Sequence, residues 1–286
     1  MKKLTLFFAV GLLLFLNSLS ASTLKQECAM TSRILGHEVK YALYLPDGYT
    51  ESDRDYPVLY LLHGLGNDYR AWIQQGEVQT VADREIRSGR AAPMIIVMPE
   101  AGQSWYVNSY DGKTRYEDMF VRELIPHIEQ TCRARTEKTF RAVAGLSMGG
   151  YGSLLYAIRY PDLFAACCPM SAAVFTDGEL ENGGGPFADL FAGLFGPGVT
   201  TDHWRRNSVL ELVRSMPDDQ RGAVQFRIDC GDDDFLYRGN SMLHILMRER
   251  NIPHEYRVRD GGHTWTYWRE SLPAALAFVS RSFRLS

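Results

Sequence analysis

Ser147 sits at the centre of Gly145-Leu146-Ser147-Met148-Gly149, a G-x-S-x-G pentapeptide whose neighbours give it a chemical meaning. The apolar run Phe140-Arg141-Ala142-Val143-Ala144 leads in as a buried strand, and Gly150 to Ala157 leads out with helical spacing. A strand-to-helix turn this sharp holds the central serine in a strained conformation. A Cβ at either flanking glycine would collide with the neighbouring strand or helix. The hydroxyl then stands open at the C-terminal edge of a sheet. A serine hydroxyl is a poor nucleophile until a base takes its proton and an acid orients that base. The chemistry to look for is therefore nucleophilic attack on an acyl carbon.

Where an elbow of this kind carries a triad, the acid and then the histidine follow the serine in the chain. Two segments fit. Gly222 to Gly231 reads as a strand ending in a turn, with Asp232, Asp233 and Asp234 directly after it. His254 to Arg259 reads as the next strand, closed by Asp260-Gly261-Gly262-His263. Both turns lie past strand C-termini, where an open parallel sheet places its ligands. Asn240 to Asn251 has the length of a crossover helix, which makes the two turns neighbours. His37, His127, His203, His244 and His254 lie in strands, helices or polar stretches and read as surface or structural. His63 differs, since it precedes Gly64-Leu65-Gly66 after the apolar strand Pro57 to Leu62. A turn there supplies one backbone N–H to a developing oxyanion, and Met148, next to the nucleophile, supplies the other. The His63 ring itself reads as a turn stabiliser bonded to nearby backbone. No H-E-x-x-H or close Cys/His cluster appears, so neither a metal nor a cofactor is expected.

Four segments together resemble one α/β-hydrolase esterase family. They are Leu61-Leu62-His63-Gly64-Leu65-Gly66-Asn67-Asp68 with Trp72, Ala144 to Gly152 around Ser147, Cys230-Gly231-Asp232-Asp233-Asp234-Phe235-Leu236, and Gly261-Gly262-His263-Thr264-Trp265. The family is esterase D-like and holds feruloyl esterases, tributyrin-type esterases, S-formylglutathione hydrolases and mycolyltransferases. A smaller match runs through Leu194-Phe195-Gly196, Trp204, Asn207 and Ser208. The resemblance extends from about Ile34 to Phe283. It implies that the acid three residues after the glycine of the C-G turn is Asp234, with Asp232 and Asp233 crowding the same turn. The implied site is then Ser147, Asp234 and His263, with Leu65 and Met148 as the oxyanion donors and Gly64 beside them.

The alternation of elements predicts a mostly parallel sheet covered by helices on both faces. Strands are expected near 38–46, 57–62, 93–98, 139–145, 164–170, 223–230 and 254–259. Helices are expected near 77–89, 116–131, 148–160, 206–215, 239–250 and 266–283. The pattern leaves open whether the opening strands run antiparallel. Two stretches reach the predicted catalytic edge. Ala101 to Asn108 follows a strand and offers Trp105, Tyr106 and Asn108 to a planar acyl group or a sugar, and Trp265 follows His263. The long connection Ser171 to Trp204, carrying Phe175, Phe187, Phe191 and Phe195, is an insertion that forms either a lid or a satellite core. Trp268 reads as an anchor for the last helix.

Met1-Lys2-Lys3, the apolar run Leu4 to Leu16, and small residues at Ser18 to Ser22 have the order of a Sec-type signal peptide. That places residues 1–21 as a leader and 22–286 as one catalytic domain, exported to the periplasm or beyond. The apolar run is short for a membrane span, so no membrane association is expected after cleavage. Five cysteines include Cys28 and Cys132, which an oxidising destination would allow to pair, and none has C-x-x-C spacing. The composition is that of a globular enzyme, with 45% hydrophobic and 23% charged residues. A net charge of -3 without a basic cluster argues against a nucleic-acid partner. Gly183-Gly184-Gly185 is the one low-complexity tract. Nothing in the sequence sets the oligomeric state.

The expected activity is hydrolysis of a small-molecule or oligosaccharide ester through an acyl-enzyme. The resemblance and the export signal point to feruloyl (hydroxycinnamoyl) esters of plant-wall polysaccharide. Alternatives are a short-chain acetyl or tributyrin-type esterase, an S-formylglutathione hydrolase-like thioesterase, an acyltransferase, and a non-catalytic binding protein on the same fold.

Overall fold

Strands β3 (Val58–Leu62), β4 (Ile95–Pro99), β5 (Arg141–Leu146) and β6 (Ala166–Met170) are buried along their whole length, which is what a sheet covered on both faces requires. The computed structural model describes residues 21–181, 188–197 and 201–283. Four more strands complete the sheet: β1 (Thr23–Thr31), β2 (Glu38–Leu45), β7 (Gln225–Gly231) and β8 (His254–Arg259). Their order is β1-β2-β4-β3-β5-β6-β7-β8. β2 runs antiparallel to both β1 and β4, and every pairing from β4 through β8 is parallel. This is an α/β-hydrolase sheet.

Alternation along the central strands feeds two separate cores. On β3, Val58, Tyr60 and Leu62 join one core while Leu59 and Leu61 join the other. Ile95 and Val97 of β4 divide from Ile96 and Met98 in the same way. The first core is closed by residues of 116–131, the helix Met148–Arg159 and the helix Tyr237–Glu249. The second is closed by the helices Val78–Arg87 and Trp265–Ser282.

Several details depart from the sequence pattern. β1 was not expected, because Lys25, Gln26 and Glu27 break its apolar rhythm; it is an edge strand, with a register shift between Lys25 and Cys28. The segment expected as one helix over 116–131 carries a π-helical turn at Phe120–Leu124. The 171–204 connection holds the helices Asp177–Glu181, Ala188–Phe195 and Asp202–Asn207. Cys28 and Cys132 are free thiols, and Cys167 and Cys168 are buried on β6. Among the described residues no helix is long and apolar enough to cross a membrane. Residues 1–20 of the expected leader, the Gly183 to Gly185 tract and Phe187 lie outside the described residues.

One buried ionic group ties the last three elements together. Asp229 of β7 is wholly buried and accepts hydrogen bonds from Arg227 Nη1 at 2.8 Å, Tyr267 Oη at 2.6 Å and Ser271 Oγ at 3.1 Å. Removing one partner of such a pair leaves the other charge buried and uncompensated, which costs about 3–5 kcal/mol. Asp229→Ala should therefore unfold at a clearly lower urea concentration than the native chain. An unchanged midpoint would mean that the network adds no stability.

Candidate active site

The serine turn has the strain that its glycines imply. Ser147 sits at φ 54°, ψ −119°, directly between β5 and the helix Met148–Arg159. A Cβ on Gly145 would lie 2.5 Å from the Gly149 carbonyl oxygen, and one on Gly149 would lie 2.5 Å from the Leu62 carbonyl oxygen. The strain is held from both sides. Ser147 donates its N–H to the Met170 carbonyl at 3.0 Å, and its own carbonyl accepts from Ala173 N–H at 2.9 Å.

Three side chains from three separate turns meet at this point. His263 Nε2 lies 3.0 Å from Ser147 Oγ, and His263 Nδ1 lies 2.9 Å and 3.1 Å from the two carboxylate oxygens of Asp234. The neighbouring aspartates are placed otherwise. Asp232 and Asp233 are exposed, and Asp232 Oδ1 accepts the Gly261 N–H, which ties the acid turn to the histidine turn. Asp234 is 1% exposed. Burial pushes its carboxyl up, but hydrogen bonds from His263, Ser171 and the Leu236 N–H outweigh this and hold it below the usual value of 3.8.

Ser171 was not singled out from the sequence. It is wholly buried, sits at φ 46°, and its N–H donates to the Asp229 carbonyl at 2.7 Å. Its Oγ accepts the indole N–H of Trp268 at 3.0 Å, so its own proton is left for Asp234. The Trp268 ring stands edge-on to His263, with centroids 4.8 Å apart. Trp268 thus anchors the last helix and also steers the acid. A lone serine after an apolar strand has no sequence signature that would reveal this.

His63 is a turn stabiliser. Its Nε2 accepts the Ala101 N–H at 3.0 Å, which leaves Nδ1 as the donor to the Gly64 carbonyl at 2.8 Å. That bond shapes the Gly64-Leu65-Gly66 turn. The backbone N–H groups of Leu65 and Met148 find no acceptor among the described residues.

A cavity of about 390 Å³ opens over Ser147 and His263. Leu65, Gly66, Gln103, Trp105, Ala173, Phe175, Phe235 and Leu236 complete its lining. Trp105 in this lining is 3% exposed, on a backbone at φ 52° and with its indole N–H unpaired. Its partners in the substrate-binding set require correction. Tyr106 is wholly buried, donating its hydroxyl to the His63 carbonyl at 2.9 Å and packing against Gly152, so no ligand ring can reach it. Asn108 accepts the Asp118 N–H at 3.1 Å and lines a separate pocket with Glu117, Arg159 and His203. Trp265 packs between Trp72 and Trp268, at 5.2 Å and 5.4 Å, outside the cavity lining. Gly64 lies beneath the site, where a Cβ would meet the Leu146 side chain. Successive residues of a tight turn point in different directions, and sequence proximity to the catalytic edge does not say which one faces it. Phe235 and Gln103 were missed for the same reason, although Phe235 is 63% exposed and its ring is 4.6 Å from that of His263.

The family model named Esterase matches residues 32–279. The chain belongs to this esterase family. Among its relatives is an esterase of Mycobacterium tuberculosis, 31% identical over 247 residues, which are 77% of this chain and 51% of that protein. The present chain thus spans about half of that relative's length. An endo-1,4-beta-xylanase/feruloyl esterase of Xylanibacter ruminicola is 31% identical over 164 residues, 55% of this chain and 23% of that one. A solved ferulic acid esterase superposes with a TM-score of 0.80 at 34% identity, covering 92% of this chain and 99% of its own. The S-formylglutathione hydrolase of Staphylococcus aureus, at 22% identity and a TM-score of 0.75 over 91% of this chain and 100% of that one, shares the fold.

In this esterase-family chain the Ser171 hydroxyl generates a pH-dependent expectation. A carboxylate held below its unfolded pKa stabilises the fold above that pKa, and the contribution fades as pH falls through the folded value. Ser171→Ala should cost about 1–2 kcal/mol at pH 7. The gap from the native chain should narrow as pH falls below about 4 and through the folded value of Asp234, which lies under 3.8. Urea denaturation at pH values from 3 to 7 checks this, and a gap independent of pH would mean that the hydroxyl does not serve Asp234.

Proposed function

We propose that this protein is a serine carboxylesterase that works through an acyl-enzyme. The observation that carries the reading is the hydrogen-bonded line from Asp234 through His263 to Ser147 beneath an open cavity. Ser147 Oγ attacks the ester carbonyl as His263 Nε2 takes its proton. Asp234 fixes the imidazole tautomer and stabilises the imidazolium. The charge forming on the carbonyl oxygen is met by the unpaired N–H groups of Leu65 and Met148, donors set in place before the reaction and needing no reorganisation. His263 then passes the proton to the departing alcohol oxygen. It next takes a proton from water, which attacks the acyl carbon, and returns that proton to Ser147 Oγ as the Oγ–acyl bond breaks and the acid leaves.

The substrate class within this reading is a hydroxycinnamoyl ester of a wall polysaccharide. The buried Trp105 and half-buried Phe175 in the cavity lining suit a flat aromatic acyl group. Aromatic packing contributes about 0.5–1.5 kcal/mol beyond area burial, a threefold to tenfold preference over a small acyl group. The relatives that carry feruloyl or ferulic acid esterase in their names support the same choice. The basic and apolar order of residues 1–21 supports export, where such polymers are met. A second reading, a short-chain acyl esterase, is favoured by the acetyl esterase of Caldicellulosiruptor saccharolyticus, 24% identical over 78% of this chain and 83% of its own.

Ser147→Ala should abolish p-nitrophenyl acetate hydrolysis with folding intact, and an unchanged rate would overturn the triad reading. Asp234→Asn should lower kcat by orders of magnitude more than Asp232→Asn or Asp233→Asn, since Asp234 alone of the three bonds His263. A larger loss at Asp233 would move the acid by one residue. The substrate class is tested by kcat/KM on a feruloylated arabino-oligosaccharide, p-nitrophenyl acetate and tributyrin, corrected for leaving-group reactivity. A preference for tributyrin with no ferulic acid released would select the short-chain reading.

A further inference from the structure

One exposed aromatic ring lines the cavity beside the reacting groups. Phe235 is 63% exposed, the most exposed of the large apolar side chains among the described residues, and it stands on the turn that carries the acid. Its backbone neighbours are fully engaged: Asp234 bonds His263, and Leu236 is buried and donates its N–H to Asp234. Between these two buried residues the Phe235 side chain turns away from the core. Phe235 lines the same cavity as Ser147 and His263, so its exposed ring is within reach of a ligand held there.

Proton transfer divides the cavity into two sides. The leaving oxygen must come within hydrogen-bond reach of His263 Nε2, because that nitrogen returns the proton to it. Whatever is attached to this oxygen then runs out along the His263 ring. The Phe235 ring lies 4.6 Å from that ring, inclined at 53°. The acyl part, on the same carbonyl carbon, is left the rest of the lining, which includes Trp105, Ala173 and Phe175. We infer that Phe235 is the subsite for the departing alcohol, and that it takes a neutral sugar ring by stacking. The inference rests on the esterase reading above and adds the alcohol side of its specificity.

The chemistry of the mouth selects that ligand. A sugar ring has one face of C–H groups that lies flat on an aromatic ring and a rim of hydroxyls that stays in water. A half-exposed platform open on one side suits this shape. An alkyl alcohol would leave its chain in water unless a closed apolar groove received it, and Phe235 stands at an open mouth. Charge excludes anionic alcohols and thiols. Asp232, Asp233 and Asp260 are exposed, with carboxylate oxygens within 4.8 Å of one another, on the two turns that flank Phe235 and His263. They repel a carboxylate-bearing thiol such as glutathione and tolerate a neutral glycoside.

The test compares two esters with the same acyl group, methyl ferulate and 5-O-feruloyl-arabinofuranose, so that only the alcohol differs. The quantity read is the ratio of kcat/KM for the sugar ester to that for the methyl ester. Phe235→Ala should lower this ratio about threefold to tenfold. Phe235→Leu keeps an apolar side chain against His263 but removes the ring, and should lower the ratio to a similar extent. Phe235→Trp should hold the ratio or raise it. The inference is overturned if Phe235→Ala and Phe235→Leu slow both esters equally, since that would assign the ring to His263 packing alone. It is also overturned if the leucine variant keeps the native ratio while alanine loses it. Absence of hydrolysis of every ester by the native chain would instead remove the esterase reading itself.

Discussion

A left-handed backbone at a non-glycine residue, Ser147 at φ 54°, is the constraint around which the site is arranged. It exists only because β5, β3 and the following helix approach so closely that neither Gly145 nor Gly149 has room for a Cβ. The missing atoms let the Leu62 and His63 carbonyls lie against the start of the helix, which sets the Gly64-Leu65-Gly66 turn beside Ser147. One sharp turn therefore places both the hydroxyl and the two free N–H groups. The backbone strain, of order 1–3 kcal/mol, is held by hydrogen bonds to Met170 and Ala173.

The histidine and the acid arrive on turns of their own and are aligned by buried polar contacts. Gly231 at the end of β7 packs directly against the Gly261 carbonyl, and Asp232 bonds the Gly261 N–H. Behind these turns, Asp229 gathers Arg227, Tyr267 and Ser271, while Ser171 links Asp229, Trp268 and Asp234. Asp229 alone accepts from three side-chain donors, and moving any one of the turns would leave a buried polar group without its partner.

The other side of the site depends on packing. Trp105 and Tyr106 are consecutive residues in left-handed conformation. This sends one ring into the cavity wall and the other into the core beneath His63, where Gly152 leaves space for it. The 171–204 connection then packs on Trp105 through Phe175, Phe191 and Phe195, with ring centroids 4.8–6.3 Å apart. The helix Ala188–Phe195 gives this satellite aromatic core its Phe191 and Phe195, while Ala173 and Phe175, ahead of the first helix, line the cavity.

The sequence by itself determined the class of sheet, because continuous apolar runs alternating with amphipathic stretches have few stable solutions. It also placed Ser147, the three-aspartate turn and His263 at strand ends, since turn chemistry and strand length are local properties. It could not choose among Asp232, Asp233 and Asp234 without a resemblance to guide it, nor say which of Trp105, Tyr106 and Asn108 faces a ligand. It gave no sign of Ser171 or Phe235 as parts of the site. Those matters turn on the direction of individual side chains at tight turns, where one dihedral angle reverses a residue from solvent to core. Such angles are set by contacts with elements tens of residues away, such as Gly152 under Tyr106 and Trp268 against Ser171. Only the tertiary structure holds that information, because those contacts do not exist until the sheet and its helices have closed around them.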